Sequence, residues 1–275
     1  MVELPEAVCL AAQFNENIAG KKIKSAEAAH SPHKFTWYFG GPEEYARKLA
    51  GEKIGQTMQV GGTLEISTDN YILLMSEGLK IRLHKSSADL PPKHQLALIF
   101  EDDMALHVSV QMYAGICCFK PGEYDNEYYQ AAQKKPSPLT DEFDEEYFFD
   151  MIDEEAMQKL SAKAFLATEQ RVPGLGNGVL QEILYDAKIN PKRKIIDLDR
   201  DDKMRMFKAV KQTLNEIRGQ GGRDTESDIF GTPGGYATRA CKNTVGKPCG
   251  RCGSPIVKAS YMGGSVYYCE TCQPL

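Results

Sequence analysis

The stretch whose reading decides the fold is Gln170-Arg171-Val172-Pro173-Gly174-Leu175-Gly176-Asn177-Gly178-Val179-Leu180-Gln181-Glu182-Ile183-Leu184-Tyr185, followed by Asp186-Ala187-Lys188-Ile189-Asn190-Pro191. Val179, Leu180, Ile183 and Leu184 recur at helical spacing, so a helix is expected over 178–187, with Asn190-Pro191 as its stop. Glycines directly before a helix leave its first N–H groups unshielded, at the end that bears partial positive charge. Gly174 and Gly176 are therefore candidate phosphate-docking positions, and Asn177 a candidate side-chain donor. A plain tight turn with an Asn cap is the other, less favoured reading of the same residues.

Toward the C-terminus a further helix is expected over 199–218, with Met206, Phe207, Val210, Leu214 and Ile217 inward and acids in its first turn. The basic run Lys192-Arg193-Lys194 precedes it, and Lys192 and Arg193 are candidate contacts to an anionic partner or, alternatively, part of a solvated face. The Gly-rich segment 219–236, which holds Arg223, reads as a long functional loop. Cys249-x2-Cys252, sixteen residues, then Cys269-x2-Cys272 has the spacing of a four-cysteine zinc site, the expectation being one structural Zn2+ per chain with no open coordination position. Cys9, Cys117, Cys118 and Cys241 lack that spacing and read as buried or ordinary thiols.

Toward the N-terminus a helix is expected over 156–168, preceded by Asp141 to Glu155, where nine of fifteen residues are acidic. That segment, with the Pro-containing run before it, reads as a solvated linker. Still earlier, short β-rich runs at 35–39, 63–66, 71–75, 79–84, 95–100, 105–110 and 114–119 are separated by hairpin-type connections at Asp69-Asn70, Glu77-Gly78 and Glu101-Asp102-Asp103. Leu4, Val8, Ala11, Ala12 and Ile18 place a helix at the start. The expected class is α+β: an N-terminal helix on an antiparallel β-sandwich (1–134), an acidic linker (135–155), a helical domain with the Gly-rich loop (156–236) and a zinc ribbon (237–275).

The 275 residues, 42% hydrophobic and 26% charged, exclude a disordered, collagen-like or coiled-coil chain. No run approaches the roughly 18 apolar residues of a membrane helix, and the start has no signal-peptide pattern, so a cytoplasmic chain without a membrane partner is expected, nucleoid-associated if bacterial. Net charge is −5, which alone argues against nucleic acid. Divided after Glu155, it becomes −12 (14 Lys and Arg against 26 Asp and Glu) and +7 (19 against 12), an asymmetry that points to a nucleic-acid surface.

Several motifs in order resemble the formamidopyrimidine-DNA glycosylase and endonuclease VIII family: Glu3-Leu4-Pro5-Glu6 opening the first helix, Pro92-Lys93-His94, the Gly-Leu-Gly-Asn turn of a helix-two-turn-helix, Ile189-Asn190-Pro191, Gly221-Gly222, and the ribbon ending Cys272-Gln273. The resemblance implies a monomeric base-excision-repair glycosylase acting on double-stranded DNA with a damaged or abasic site, with abasic-lyase activity. It implies that Val2, once Met1 is removed, is the amine nucleophile, that Glu3 moves protons at the sugar, and that Glu6 is a second polar group at the same helix end. An α-amine suits this role because its pKa of about 7.7–8.0 leaves much of it neutral near pH 7.5. Arg223 would lie in the loop that closes over an everted base, and Gln111, Met112 and Tyr113 would fill the gap it leaves. A strand alternation with Met112 buried is the other reading of that triplet.

The chain departs from the family pattern in having Val2 where most members have Pro, no Lys in Gly61-Gly62-Thr63-Leu64-Glu65, and no Arg between its two Cys pairs. These departures define the alternative: a catalytically impaired, zinc-containing DNA- or RNA-binding protein that keeps the fold.

Overall fold

The computed structural model describes residues 2–275. They divide into two compact units: residues 2–127 with Thr225–Gly234, and Tyr128–Asp224 with Gly235–Leu275.

In the first unit, α1 (Leu4–Asn17) is followed by nine strands and one short helix: β1 (Ile23–Ala28), β2 (Thr36–Phe39), α2 (Tyr45–Leu49), β3 (Ile54–Val60), β4 (Thr63–Thr68), β5 (Ile72–Met75), β6 (Leu79–His84), β7 (Leu96–Phe100), β8 (Ala105–Val110) and β9 (Ala114–Phe119). They form two sheets, ordered β1-β7-β8-β6 and β2-β9-β5-β4-β3. Both sheets and α1 share one core, in which Ile66, Leu73 and Met75 meet Ile81, Leu98, Leu106 and Val108 beside Phe14 and Ala7. Every pairing is antiparallel except β2 with β9, which is parallel.

Strands β1 and β3 were not expected, and each contains a register shift, at Ile23/Ser25 and at Ile54/Thr57. A bulge breaks the period-two alternation by which a strand is read from sequence. The irregular stretch of β3 is also where α1 docks: Asn15 accepts from the Thr57 N–H and donates to the Thr57 carbonyl, both at 2.8 Å. Asp69-Asn70 and Glu101-Asp102-Asp103 do join paired strands. Glu77-Gly78 does not, because β5 and β6 belong to different sheets. Gly78 sits at φ +87, and a Cβ there would lie 2.4 Å from the Tyr113 carbonyl oxygen, so only glycine lets the chain cross under the 111–113 loop.

The second unit takes up the chain within α3 (Glu127–Lys134) and contains α4 (Glu145–Asp153), α5 (Ala162–Ala167), α6 (Val179–Ala187), α7 (Arg200–Gly219) and the hairpin β10 (Ile256–Tyr261) and β11 (Gly264–Cys269). Here the acidic segment differs from the solvated linker expected at 135–155. Asp144 caps α4 by accepting from the Tyr147 N–H at 2.8 Å, and Phe143, Phe148 and Ile152 are fully buried. Phe148 packs against Phe165 and Phe207, with ring centroids 5.8 and 5.5 Å away. The segment is also tied to basic groups of α7: Lys203 pairs with Asp153 at 2.6 Å, and Lys211 donates to the Thr140 carbonyl. The high local charge masked Phe148 and Ile152, one turn apart on a buried helix face, and Phe143 just before the cap.

This placement changes the charge division. By unit, the first has 12 Lys and Arg against 19 Asp and Glu, net −7, and the second 21 against 19, net +2. Much of the excess positive charge expected for the C-terminal half is therefore neutralised by the acidic segment folded with it.

Truncating Phe148 to Ala should destabilise the second unit by about 3–5 kcal/mol, and removing the cap with Asp144→Ala by about 1 kcal/mol. Denaturant titration of the full chain measures both; a loss below 1 kcal/mol for Phe148→Ala would mean that this segment is peripheral.

Candidate functional site

Two groups of candidate residues occur, one in each unit. In the first, Val2 stands directly before the N-cap of α1, at the buried N-terminal end of that helix. Glu3 is the N-cap, and its carboxylate takes the N–H of Glu6 while Glu6 returns a bond to the Glu3 N–H at 3.2 Å. The reciprocal arrangement satisfies two donors of the first turn. Both carboxylates are nearly inaccessible, Glu3 1% and Glu6 4% exposed. Removal of Met1 lies outside the described residues.

Val2 lines a small, mostly polar cavity of about 170 Å³ together with Lys80, Gln111, Thr225, Glu226 and Ser227. Of the sequence candidates, Val2 and Gln111 thus meet at one cavity, with Glu3 adjacent in the chain. The segment 225–234 is fixed to this unit. Arg82 donates to the Asp228 carbonyl at 2.7 Å and to the Ser227 hydroxyl at 2.6 Å, Leu83 N–H bonds the Ile229 carbonyl, and Ile229 is buried in the core. Asp228 closes the turn by accepting from the Phe230 and Thr232 N–H groups, leaving Phe230 exposed. The cavity residues Lys80 and Thr225–Ser227 were not singled out from sequence; nothing in their local pattern marks them.

Met112 and Tyr113 are 50% and 60% exposed at the tip between β8 and β9, so the reading of Met112 as a buried strand residue is overturned. Gln111 and Met112 both donate their N–H to the Gly78 carbonyl, which ends the β8 ladder before Met112 can turn inward.

In the second unit the Gly-Leu-Gly-Asn turn leads into α6. Gly174 adopts φ +77, and its N–H is already donated to the Gln170 side chain at 2.7 Å. The positive φ is the conformational demand that glycine meets at this turn. Gly176 is buried, and the Asn177 Nδ2 donates to the Ser265 carbonyl at 2.9 Å, which ties the turn to β11. Lys192 stands over the Tyr268 ring at 5.8 Å. Arg193 pairs with Asp202 at 2.8 Å and donates to the Asp197 carbonyl, which braces the start of α7. Arg223 is 3% exposed and bridges in backbone register to Tyr236.

The four cysteine sulfurs lie within 4.8 Å of one another. Four thiolates about 2.3 Å from one zinc stand about 3.8 Å apart, and here Cys249 to Cys272 is 4.0 Å and Cys252 to Cys269 is 3.4 Å, so the donor set fits tetrahedral Zn2+. Burial opposes ionisation of Cys249, yet the Tyr185 hydroxyl at 3.3 Å and the N–H groups of Arg251 and Cys252 outweigh it and bring that thiol down to about 6. Burial and the Cys249 sulfur push Tyr185 up to about 12, so it remains a donor.

Helix α6 anchors this ribbon. Glu182, fully buried, accepts from the N–H groups of Arg239 and Ala240 and from the Tyr236 hydroxyl. One turn on, Asp186 pairs with Arg239 and Arg251 at 2.6 and 2.7 Å. Gln273 is fully buried, donating to the Ile189 carbonyl, accepting from the Cys269 N–H, and receiving on its own carbonyl the Asn190 amide. This explains why Ile189-Asn190 and the terminal Gln273 occur together.

Sequence reading also missed Lys163. It lies on α5 at 7% exposure, and its ammonium donates to the Tyr261 carbonyl at 2.9 Å. A Cβ on Gly264 would stand 3.5 Å from its nitrogen, so Lys163 brings a cation to the hairpin tip that has none of its own. Burial lowers its pKa. The available signal was a single Lys among the apolar residues of Ala162-Lys163-Ala164-Phe165-Leu166.

Residues 1–111 match the formamidopyrimidine-DNA glycosylase N-terminal domain. Over its whole length the chain is 30% identical to the formamidopyrimidine-DNA glycosylase of Bacillus subtilis, covering 99% of each chain. Its fold is similar to that of Lactococcus lactis Fpg (MutM) solved with DNA containing an oxidized pyrimidine, with a TM-score of 0.82 at 24% identity over 99% of this chain and 100% of that one. A complex of the Lactococcus lactis protein with DNA containing an abasic site gives a TM-score of 0.82 at 23% identity with the same coverage.

Replacing Glu182 with Ala strands several buried donors and should cost about 3–5 kcal/mol. Stripping the metal with a strong chelator should release one zinc per chain and lower the melting temperature of the second unit; a released-metal count of zero from freshly purified protein would remove the zinc assignment.

Proposed function

Because the chain belongs to the formamidopyrimidine-DNA glycosylase family, we propose that it is a repair enzyme that excises an oxidised base from duplex DNA and then opens the abasic strand with the Val2 amine. The observation that supports this most is the joining of Val2, a buried Glu3–Glu6 capping box and a polar cavity at one helix end.

After removal of Met1 the Val2 nitrogen becomes an α-amine one residue before the N-cap. An α-amine has an ordinary pKa of about 7.7–8.0, so a sizeable fraction of it is neutral and nucleophilic near pH 7.5. Its lone pair forms a bond to C1′ of the damaged nucleotide, and the glycosidic bond breaks with its electron pair leaving on the base. Glu3 transfers the proton at the sugar. The amine then loses a proton, its lone pair expels O4′ from C1′ to form the protonated imine, with the departing O4′ taking the proton that Glu3 supplies, and removal of a C2′ proton, its electrons delocalised into that imine, expels the 3′ phosphate. The Val2 side chain is β-branched and crowds the attack, a cost absent from an unbranched residue.

In the second unit, Asn177, Lys163 and Lys192 are the proposed phosphate contacts. Lys163 takes the place of the Arg that the hairpin lacks. Met112 and Tyr113, with Gln111, are the proposed wedge, being exposed apolar groups on a loop pinned by Gly78. Arg223 is proposed to meet the everted base. Zinc, when bound by Cys249, Cys252, Cys269 and Cys272, supplies folding free energy to the hairpin and takes no part in the chemistry.

Duplexes bearing an oxidised purine, an oxidised pyrimidine or an abasic site, incubated with protein whose Val2 terminus is verified by intact mass, test the reading. At least one lesion should be excised, and Glu3→Gln should slow the reaction about 10²–10⁴-fold. Salt-sensitive binding without excision of any lesion would instead favour the non-catalytic binding protein. Lys163→Met should weaken binding and reduce the salt slope by roughly 0.9, the value for one phosphate contact.

A further inference from the structure

All five histidines of the chain belong to the first unit, and two of them converge on one carboxylate away from the Val2 cavity. His30 Nδ1 is 2.8 Å from one oxygen of Glu27, and His94 Nε2 is 3.2 Å from the other. The two rings stack with centroids 4.5 Å apart and planes 15° off parallel. The three ligand atoms lie within 4.8 Å of one another.

The backbone sets this geometry. Glu27 is in β1, paired with Ala97 of β7. Ala29 then takes a left-handed conformation at φ 57, and its N–H bonds the Gln95 carbonyl at 2.9 Å while the Ser31 N–H bonds the His94 carbonyl at 3.0 Å. The turn bearing His30 is thereby fastened to the segment bearing His94. A non-glycine residue at positive φ is costly, and here it directs His30 back over Glu27.

The geometry accommodates a cation as well as an ion pair. His94 Nδ1 faces the Pro91 carbonyl at 3.4 Å and Nε2 faces the Glu27 carboxylate at 3.2 Å, and both partners only accept. An ion bound at Nε2 would leave the ring proton on Nδ1 for the Pro91 carbonyl and satisfy both. A neutral imidazole whose second nitrogen is oriented by a carbonyl is the usual arrangement of a metal-binding histidine. Charging both rings would place two imidazolium ions face to face across one carboxylate. Behind them, His107 directs its Nε2 to the Lys93 carbonyl at 3.1 Å, and its ring stands 6.3 Å from His94. Its pKa is lowered, first by burial, so it adds no positive charge at neutral pH.

We propose that Glu27, His30 and His94 form a second cation site, separate from the cysteine cluster, for a borderline divalent ion such as Ni2+ or Zn2+. Two imidazoles and a carboxylate match that class of ion and leave coordination positions to water. His94 is buried and rigid, whereas Glu27 and His30 are 57% and 44% exposed, so an ion enters from solvent. Bound there, it cross-links the end of β1 to the segment before β7 and stabilises the first unit by preferential binding to the folded state.

The test is calorimetric titration of Ni2+ into zinc-loaded, tag-free full-length protein at pH 7.5, alongside His30→Gln and Glu27→Gln. Both substitutions are at exposed side chains, and their melting temperatures without Ni2+ check that the fold is retained. The expected result is one Ni2+ per native chain, affinity weakened at least about tenfold by either substitution, and a melting temperature raised by Ni2+ in the native protein by more than in the variants. No uptake by the native chain, or equal uptake by all three proteins, overturns the site and leaves an ordinary histidine–glutamate pair. Neither outcome bears on excision, which is read from lesion duplexes.

Discussion

The N-terminal end of α1 is buried together with the two carboxylates that cap it, Glu3 and Glu6, and the first unit is organised around that constraint. The unpaired N–H groups of α1 are met by Glu3 and Glu6, two carboxylates removed almost wholly from water. Such burial is expensive unless the charge is opposed by donors, and the first turn of the helix supplies them. The arrangement can persist only if α1 is rigidly held, which Leu4, Ala7, Leu10 and Phe14 do from the core and Asn15 does at the irregular stretch of β3. The position of Val2 follows from this anchoring.

The second unit solves a different problem, how to fold a C-terminal ribbon too small for a core of its own. Part of the answer is four cysteines arranged for one divalent ion, and part is α6, whose Gln181, Glu182, Tyr185 and Asp186 all bind the segment that follows α7. Tyr185 joins the two, since its hydroxyl contacts Cys249 and its ring packs with Ala240, Ile256 and Cys269. The helix that follows the glycine turn is thus both the second half of a candidate phosphate site and the platform for the metal ribbon.

What was legible in the sequence was whatever is local. The cysteine spacing, the apolar stripe of α6 and the start of α1 each depend on a few neighbouring residues, and the structure has them where they were expected. The strands β1 and β3 were hidden by bulges, and α4 was hidden by its own charge, because Phe143, Phe148 and Ile152 are few among many carboxylates. That error also distorted the charge argument. The acids assigned to the N-terminal half fold with the helical unit and pair with Lys203 there, so the contrast between the units is smaller than the sequence division suggested. Lys163 was missed for a related reason: its importance comes from a hairpin almost a hundred residues later, and no local pattern records that distance.

The central claim is that the amine of Val2 is the reacting group. Borohydride trapping on duplex DNA with an abasic site, followed by mass analysis of the cross-linked peptide, addresses it directly. The account predicts a stable adduct on the N-terminal peptide, at the Val2 nitrogen, formed by protein lacking Met1. Absence of any adduct with a verified Val2 terminus, or an adduct on Lys80 in the same cavity, would contradict it.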